Sequence, residues 1–201
     1  MIVLVRHGET ASNAARIVQL AETPLNQRGM SQAGLLARRL AALGIEHVLC
    51  SDLPRAKMTA QPLVDATGVG IEYTPLLQER DFGDLRGTPY AELGVDLFGP
   101  DYVPPSGESW EAFHARVDRA WERVVARAAE VRGNLAVVTH GLVCGSIAAR
   151  VLALSVGESP PPRWGNTSVT TCEVLAPHKV HLLNCVAHLS GDDDHTAPSG
   201  L

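Results

Sequence analysis

Short uninterrupted apolar runs alternate along this chain with stretches in which apolar residues recur every three or four positions. The first pattern suits strands buried on both faces, and the second suits amphipathic helices. MIVLV predicts a strand at the start. ARRLAALG closes a helix that begins near Ser31, with Ala33, Leu36, Ala37, Leu40 and Leu43 on one face and Gly44 as its stop. IEHVLCSD reads as a second strand running into a turn. AKMTAQPLVDATG reads as a helix that Pro62 bends or shortens. GIEYTPLLQE is extended and short, an edge segment because of Pro75.

From Asp81 to Ser109 the chain is rich in Gly and Pro and predicts small helical pieces at best. The clearest helix follows, with Trp110, Phe113, Val117, Trp121, Val124 and Ala128 at spacings of three and four and Ser109 as N-cap. NLAVVTH is a buried strand, and LVCGSIAARVLAL a helix after it. SVTTCEVL and KVHLLNCV alternate as late strands, joined as a hairpin through APHK. The tail, residues 191–201, has no apolar pattern and reads as disordered, which leaves one domain over residues 1–190. Strands alternating with helices give an α/β fold with a mostly parallel central sheet.

Composition narrows the class. Apolar residues make up 45% and charged residues 19% of the 201, ordinary for a soluble protein. No apolar stretch approaches the roughly 20 residues of a membrane span. A net charge of −5 argues against a nucleic-acid binder, and the start lacks signal-peptide features, so the expected location is the cytoplasm. Cys50, Cys144, Cys172 and Cys185 show no CxxC pair and read as reduced core thiols.

Two of the apolar runs end alike, at Arg6-His7-Gly8 and at His140-Gly141. Ligands of parallel α/β sheets collect at the carboxyl ends of the strands. Arg6, His7, the span Ser51 to Arg55, Glu79 and His140 all fall just past predicted strands and so converge on one rim. A glycine after each histidine is expected to let the backbone turn sharply.

LVRHGET followed by Asn13, then SDLPRA, LQERDFGDLRG, PSGES and VVTHG, resemble in order the signatures of the histidine phosphatase superfamily in its phosphoglycerate-mutase-like branch. The likeness runs from Ile2 to about Leu154 and more weakly through WGNTSVTTCEV. It implies a single-domain three-layer sandwich and a metal-free, cofactor-free phosphomonoester hydrolase acting on a small phosphorylated metabolite, with a homodimer common. His7 would be the nucleophile, phosphorylated on a ring nitrogen. Arg6, Arg55 and His140 would surround the phosphoryl oxygens, with Gly141 beside them. Asn13 would add a neutral donor, and the start of its helix further N–H groups. Glu79 would protonate the departing alcohol and then deprotonate the attacking water. Gln19 lies where relatives carry a glutamine-glycine pair, but Leu20 follows it here. Surrounding guanidiniums should keep His7 neutral, whereas for Glu79 the arginines and a phosphate dianion pull in opposite directions.

The alternatives are a phosphoglycerate mutase and a non-catalytic phosphate-binding module. Mutases of the family carry a longer insertion before the GES motif. Here the interval from Asp81 to Pro105 is short and holds Asp81, Asp84, Glu92, Asp96 and Asp101 against Arg86 alone. If those acids face the site they would repel a bisphosphorylated ligand. ERDFGDLRG is close to the ERxFGxxEG form of broad phosphatases, with Arg86 replacing the acid. Arg80 and Arg86 border the acid and are expected at the surface. Tyr90, Phe98, Tyr102 and Trp164 are candidate apolar walls. The remaining histidines, His47, His114, His178, His181, His188 and His195, share no motif, and HKVH on a strand would face opposite sides rather than chelate.

Overall fold

Alternation along each central strand sends side chains to two faces, and in the two innermost strands the runs Ile2 to Val5 and Leu135 to Val138 are apolar on both. The computed structural model describes residues 1–155 and 159–190; the expected tail lies outside the described residues. Strands β1 (Ile2–Arg6), β2 (Ile45–Ser51), β3 (Gly70–Thr74), β4 (Asn134–Thr139), β5 (Val169–Cys172) and β6 (Val180–Cys185) form one sheet in the order β3-β2-β4-β1-β5-β6. The four strands from β3 to β1 are parallel, and β5 and β6 are antiparallel additions.

The helices are α1 (Ala11–Ala15), α2 (Gln27–Ala41), α3 (Pro54–Thr67), α4 (Trp110–Glu130) and α5 (Gly141–Arg150). Ile2 and Leu4 of β1, Leu49 of β2 and Leu135 and Val137 of β4 face Phe113, Val117, Val124 and Ile147 of α4 and α5. Val3, Val5, Val48, Ala136 and Val138 face Leu36 and Leu40 of α2 and Ala60 and Leu63 of α3. The result is three layers, helices on a sheet on helices. Because β1 and β4 are covered on both sides, they read in sequence as apolar runs. No described helix is long and apolar enough to cross a membrane.

Four element boundaries differ from expectation, each for a local reason. Helix α2 starts at Gln27, because the Asn26 side chain accepts from the Gly29 N–H at 2.8 Å and caps a polar first turn with no apolar period. Helix α3 runs through Pro62 to Thr67 and stops at Gly68, whose φ is +70°. Burial of Ala56, Ala60 and Leu63 outweighs the hydrogen bond that Pro62 forfeits. Helix α5 stops at Arg150 because the Ala153 N–H is taken by carbonyls of the β5–β6 turn at Pro177 and His178. His178 lies in that turn, where it accepts from Trp121 Nε1 at 3.3 Å, and only His181 is on the strand. A third, small core of Val18, Phe82 and Leu97 holds the segment from 81 to 102 against the end of the sheet.

Candidate active site

The register of the sheet brings the two histidines together. Arg6 of β1 pairs with Thr139 of the parallel strand β4, so the next residue of each, His7 and His140, leaves the sheet side by side. Their ring centroids are 5.1 Å apart and the rings are tilted by 56°. Both are buried.

The tautomers follow from the partners. His7 Nδ1 lies 2.7 Å from the Gly8 carbonyl, which can only accept, so Nδ1 carries the proton and Nε2 keeps its lone pair. Arg55 Nε donates to His140 Nδ1 at 3.3 Å, so a neutral His140 holds its proton on Nε2 and gives it to Ser51 Oγ at 2.8 Å. Both imidazoles are pulled well below their ordinary pKa. Burial is the larger cause, and Arg55 and Arg6 add to it. The guanidiniums thus reinforce, rather than originate, the neutral state expected from sequence.

Arg6 and Arg55 are 1% and 2% exposed. The Arg6 guanidinium donates to the Trp164 carbonyl. Arg55, in the first turn of α3, donates to the Leu20 and Ala21 carbonyls at 3.2 and 3.3 Å. The stretch in which Leu20 replaces the expected glycine therefore meets the site through its backbone. Burial lowers Arg55 to about 10 against the opposing pull of Glu79.

Glu79 follows the short 3-10 turn Pro75–Leu77. Its carboxyl accepts from the backbone N–H of Leu142 at 3.2 Å and of Arg80 at 3.1 Å. Burial raises its pKa and outweighs the lowering by those two bonds and by Arg55 and Arg6. Asn13 is buried on α1 and accepts from Asn166 Nδ2 at 3.4 Å, and the same nitrogen donates to the His7 carbonyl at 3.1 Å. Gln19 accepts from Thr10 Oγ at 2.9 Å, and Gly141 is the first residue of α5 after the His140 N-cap.

Several expectations need correction. Helix α1 is a single turn whose Asn13 N–H is taken by the Thr10 hydroxyl, so it is no dipolar cradle. Neither Gly8 nor Gly141 is among the glycines with positive φ. Gly8 is needed because a Cβ there would lie 2.7 Å from the Gly29 carbonyl oxygen. Arg80 is not at the surface. It is 1% exposed, donates to the carbonyls of Glu108, Leu97 and Tyr102, and lies 3.9 Å from the centre of the Trp110 ring. Arg86 also lines the site cavity, while pairing with Asp81 at 3.0 Å.

That cavity, about 20 Å³, has room for about one water. Arg55, Arg80, Arg86 and Glu79 line it together with Phe82, Tyr90 and Phe98. None of the five acids between 81 and 105 does, so the condition for acidic repulsion, that they face the site, is not met. Asp84 accepts from Ser106 and Asp96 from the Phe98 N–H. Trp164 belongs to a different cavity, and Tyr102 contributes only its carbonyl to Arg80.

Sequence reasoning missed Arg116. Its guanidinium donates to the carbonyls of Leu76, Gln78 and Glu79 and pairs with Glu108 at 2.7 Å, clamping the segment that carries Glu79. Glu108 belongs to PSGES, so that motif acts through this clamp. Among the described residues no cluster of His, Cys, Asp or Glu could hold a metal ion.

A pair of neutral imidazoles flanked by arginines, with a carboxyl held on the backbone N–H of Leu142 two residues past His140, can bind a tetrahedral anion, accept its central atom and move a proton to its ester oxygen. Comparison with known proteins agrees with that chemistry. A probable phosphoglycerate mutase GpmB of Enterobacter sp. (strain 638) is 33% identical over 179 residues, which are 84% of this chain and 82% of that protein. The fructose-2,6-bisphosphatase TIGAR of Xenopus tropicalis is 29% identical over 100% of this chain and 78% of its own. A mycobacterial glucosyl-3-phosphoglycerate phosphatase in complex with VO3 superposes with a TM-score of 0.72 at 27% identity, covering 84% of this chain and 88% of that one. The family model for the histidine phosphatase superfamily (branch 1) matches residues 2–184, and the chain belongs to that superfamily of phosphatases and mutases.

Proposed function

We propose that the protein hydrolyses a small phosphorylated metabolite through a phosphohistidine on His7. The observation that carries this reading is the free Nε2 of a buried, neutral His7, its other nitrogen tied to the Gly8 carbonyl. The Nε2 lone pair attacks phosphorus while the ester P–O bond breaks, and Glu79 gives its proton to the departing alcohol oxygen. Arg6 and Arg55 take the charge of the equatorial oxygens, joined by His140 as its Nε2–H turns from Ser51 Oγ to the phosphoryl group. The Gly8 carbonyl stabilises the positive charge that phosphorylation puts on the ring. A water then attacks phosphorus and loses its proton to Glu79, the P–N bond breaks, and inorganic phosphate leaves. Asn13, Gln19 and Gly141 complete the substrate-binding set.

The aromatic wall of Phe82, Tyr90 and Phe98 supports hydrolysis of a monoester over transfer between two anionic sites. The guanidiniums beside it are engaged, Arg80 with three carbonyls and Arg86 with Asp81. The mutase reading draws on the Enterobacter relative and on the acids turned away from the cavity. A panel of physiological phosphomonoesters, assayed beside interconversion of the phosphoglycerates, separates the two: mutase turnover exceeding hydrolysis of every ester reverses the proposal. Quenched turnover should trap acid-labile, alkali-stable phosphate on His7. Absence of any hydrolysis, with His7→Ala behaving like wild type, would instead indicate a phosphate-binding module.

Four free cysteines suit the reducing setting of the cytoplasm. The edge strand β3, with Tyr73 exposed, supports pairing as a homodimer. A monomer mass in light scattering at micromolar concentration counts against the dimer.

A further inference from the structure

On the far side of Leu142 from the candidate site lies a second, larger cavity of about 370 Å³. None of His7, Arg6, Arg55, His140 and Glu79 lines it; Leu142 alone is common to both cavities. Its walls are rigid and apolar: Trp110, Phe113, Trp164 and the Pro161-Pro162 pair. Trp110 stacks on His114 at 5.6 Å and 21° and carries the Arg80 guanidinium 3.9 Å from its ring centre, so its indole is fixed in the wall. No Asp or Glu lines the cavity, and Arg150 and Arg163 stand at its rim. Arg150 is paired with Asp118, whereas Arg163 makes no ion pair among the described residues.

The independent pointer to a ligand is Trp164. The residue is 4% exposed, yet its indole N–H has no acceptor among the described residues. An unpaired buried donor costs about 1–3 kcal/mol. Trp110, by contrast, gives its N–H to the Gly99 carbonyl at 2.9 Å. An apolar slot with a basic rim, no acid and one unused donor is chemically selective.

We infer that this cavity is a second binding site, for a small amphipathic anion with a flat apolar body and one carboxylate or sulfonate group. The body lies against Trp164, Phe113 and the prolines, and the anionic group meets Arg163. This inference does not depend on the hydrolytic reading, since none of the five catalytic candidates lines the slot and only Gly141 of the substrate-binding set does.

The test uses 8-anilinonaphthalene-1-sulfonate, a flat aromatic sulfonate, titrated into the native protein with and without saturating orthovanadate to occupy the phosphate site. Energy transfer from Trp110 and Trp164 reports occupancy. One equivalent should bind, with unchanged affinity in vanadate. Gly145→Leu should weaken binding by about tenfold or more, and Arg163→Gln by about threefold to tenfold at low salt. A Cβ at Gly145 lies 3.5 Å from Trp164 Nε1, an ordinary contact, so the leucine variant should fold, with a thermal transition like wild type. Arg163 is exposed and its variant tests the site without touching the core. Displacement by vanadate, unsaturable binding, or affinity unchanged in both variants would overturn the inference.

Discussion

Replacing Glu79 with glutamine keeps the shape of the side chain and removes its proton. Both carboxyl oxygens of Glu79 accept backbone N–H bonds, from Arg80 and Leu142. An amide preserves one acceptor and sets its NH2 against the other N–H, so the ground state loses about 1 kcal/mol. A positioned acid supplies about 10²–10⁴-fold, or about 3–5 kcal/mol of barrier. The catalytic loss should therefore exceed the stability loss severalfold, and the two are separable. The assay is kcat/KM across phosphomonoesters whose leaving groups range from a nitrophenol to an alkyl alcohol. Glu79→Gln should lose about 10²-fold or more on the alkyl ester and little on the nitrophenyl ester. In wild type, burial keeps Glu79 protonated above the usual carboxylate range, so alkyl-ester turnover falls as pH rises through that raised pKa. The variant should lack this descending limb. Equal losses on both esters, with the limb retained, would refute Glu79 as the proton donor.

Stability should fall on acidification. The folded pKa of His7 and of His140 lies well below the unfolded value near 6.5, so the unfolded chain binds more protons below that pH. Each histidine then costs about 1.3 kcal/mol between pH 7 and 5.5, offset in part by Glu79, whose raised pKa acts oppositely. Urea unfolding checks this, and His7→Asn should remove one histidine's share. Arg116→Met should cost about 3 kcal/mol by leaving Glu108 unpaired, and should slow alkyl esters more than aryl ones as the Glu79 segment loosens. Denaturant midpoints and the same ester series measure both effects. Gly8→Ala drives a Cβ against the Gly29 carbonyl and shifts the His7 loop, so kcat should drop about 10²-fold; unchanged turnover counts against the close fit.

What the sequence made legible has a common cause. β1 and β4 are covered on both faces, so their runs are apolar, and their polar ends at His7 and His140 stand out against that background. Residues whose role depends on the direction a loop faces were not legible. Arg80 and Arg116 look like any solvated guanidinium until the carbonyls of segments 97–108 and 76–79 fold onto them. Which way the acids between 81 and 105 face was not legible for the same reason, because an irregular segment has no period to say which side chains turn inward. The cap at Asn26 and the early end of α5 are likewise set by single hydrogen bonds rather than by pattern.

His7 and His140 leave neighbouring strands just past the same rung of one parallel ladder, whereas Glu79 arrives on a turn held by side chains. The gap across the phosphoryl group is therefore gauged by the spacing between neighbouring strands, about 4.8 Å in any sheet. The distance to the alcohol is gauged by replaceable clamps. Drift in sequence can retune which alcohol departs while the anion's berth stays the same width, because altering that width means unzipping the middle of the protein.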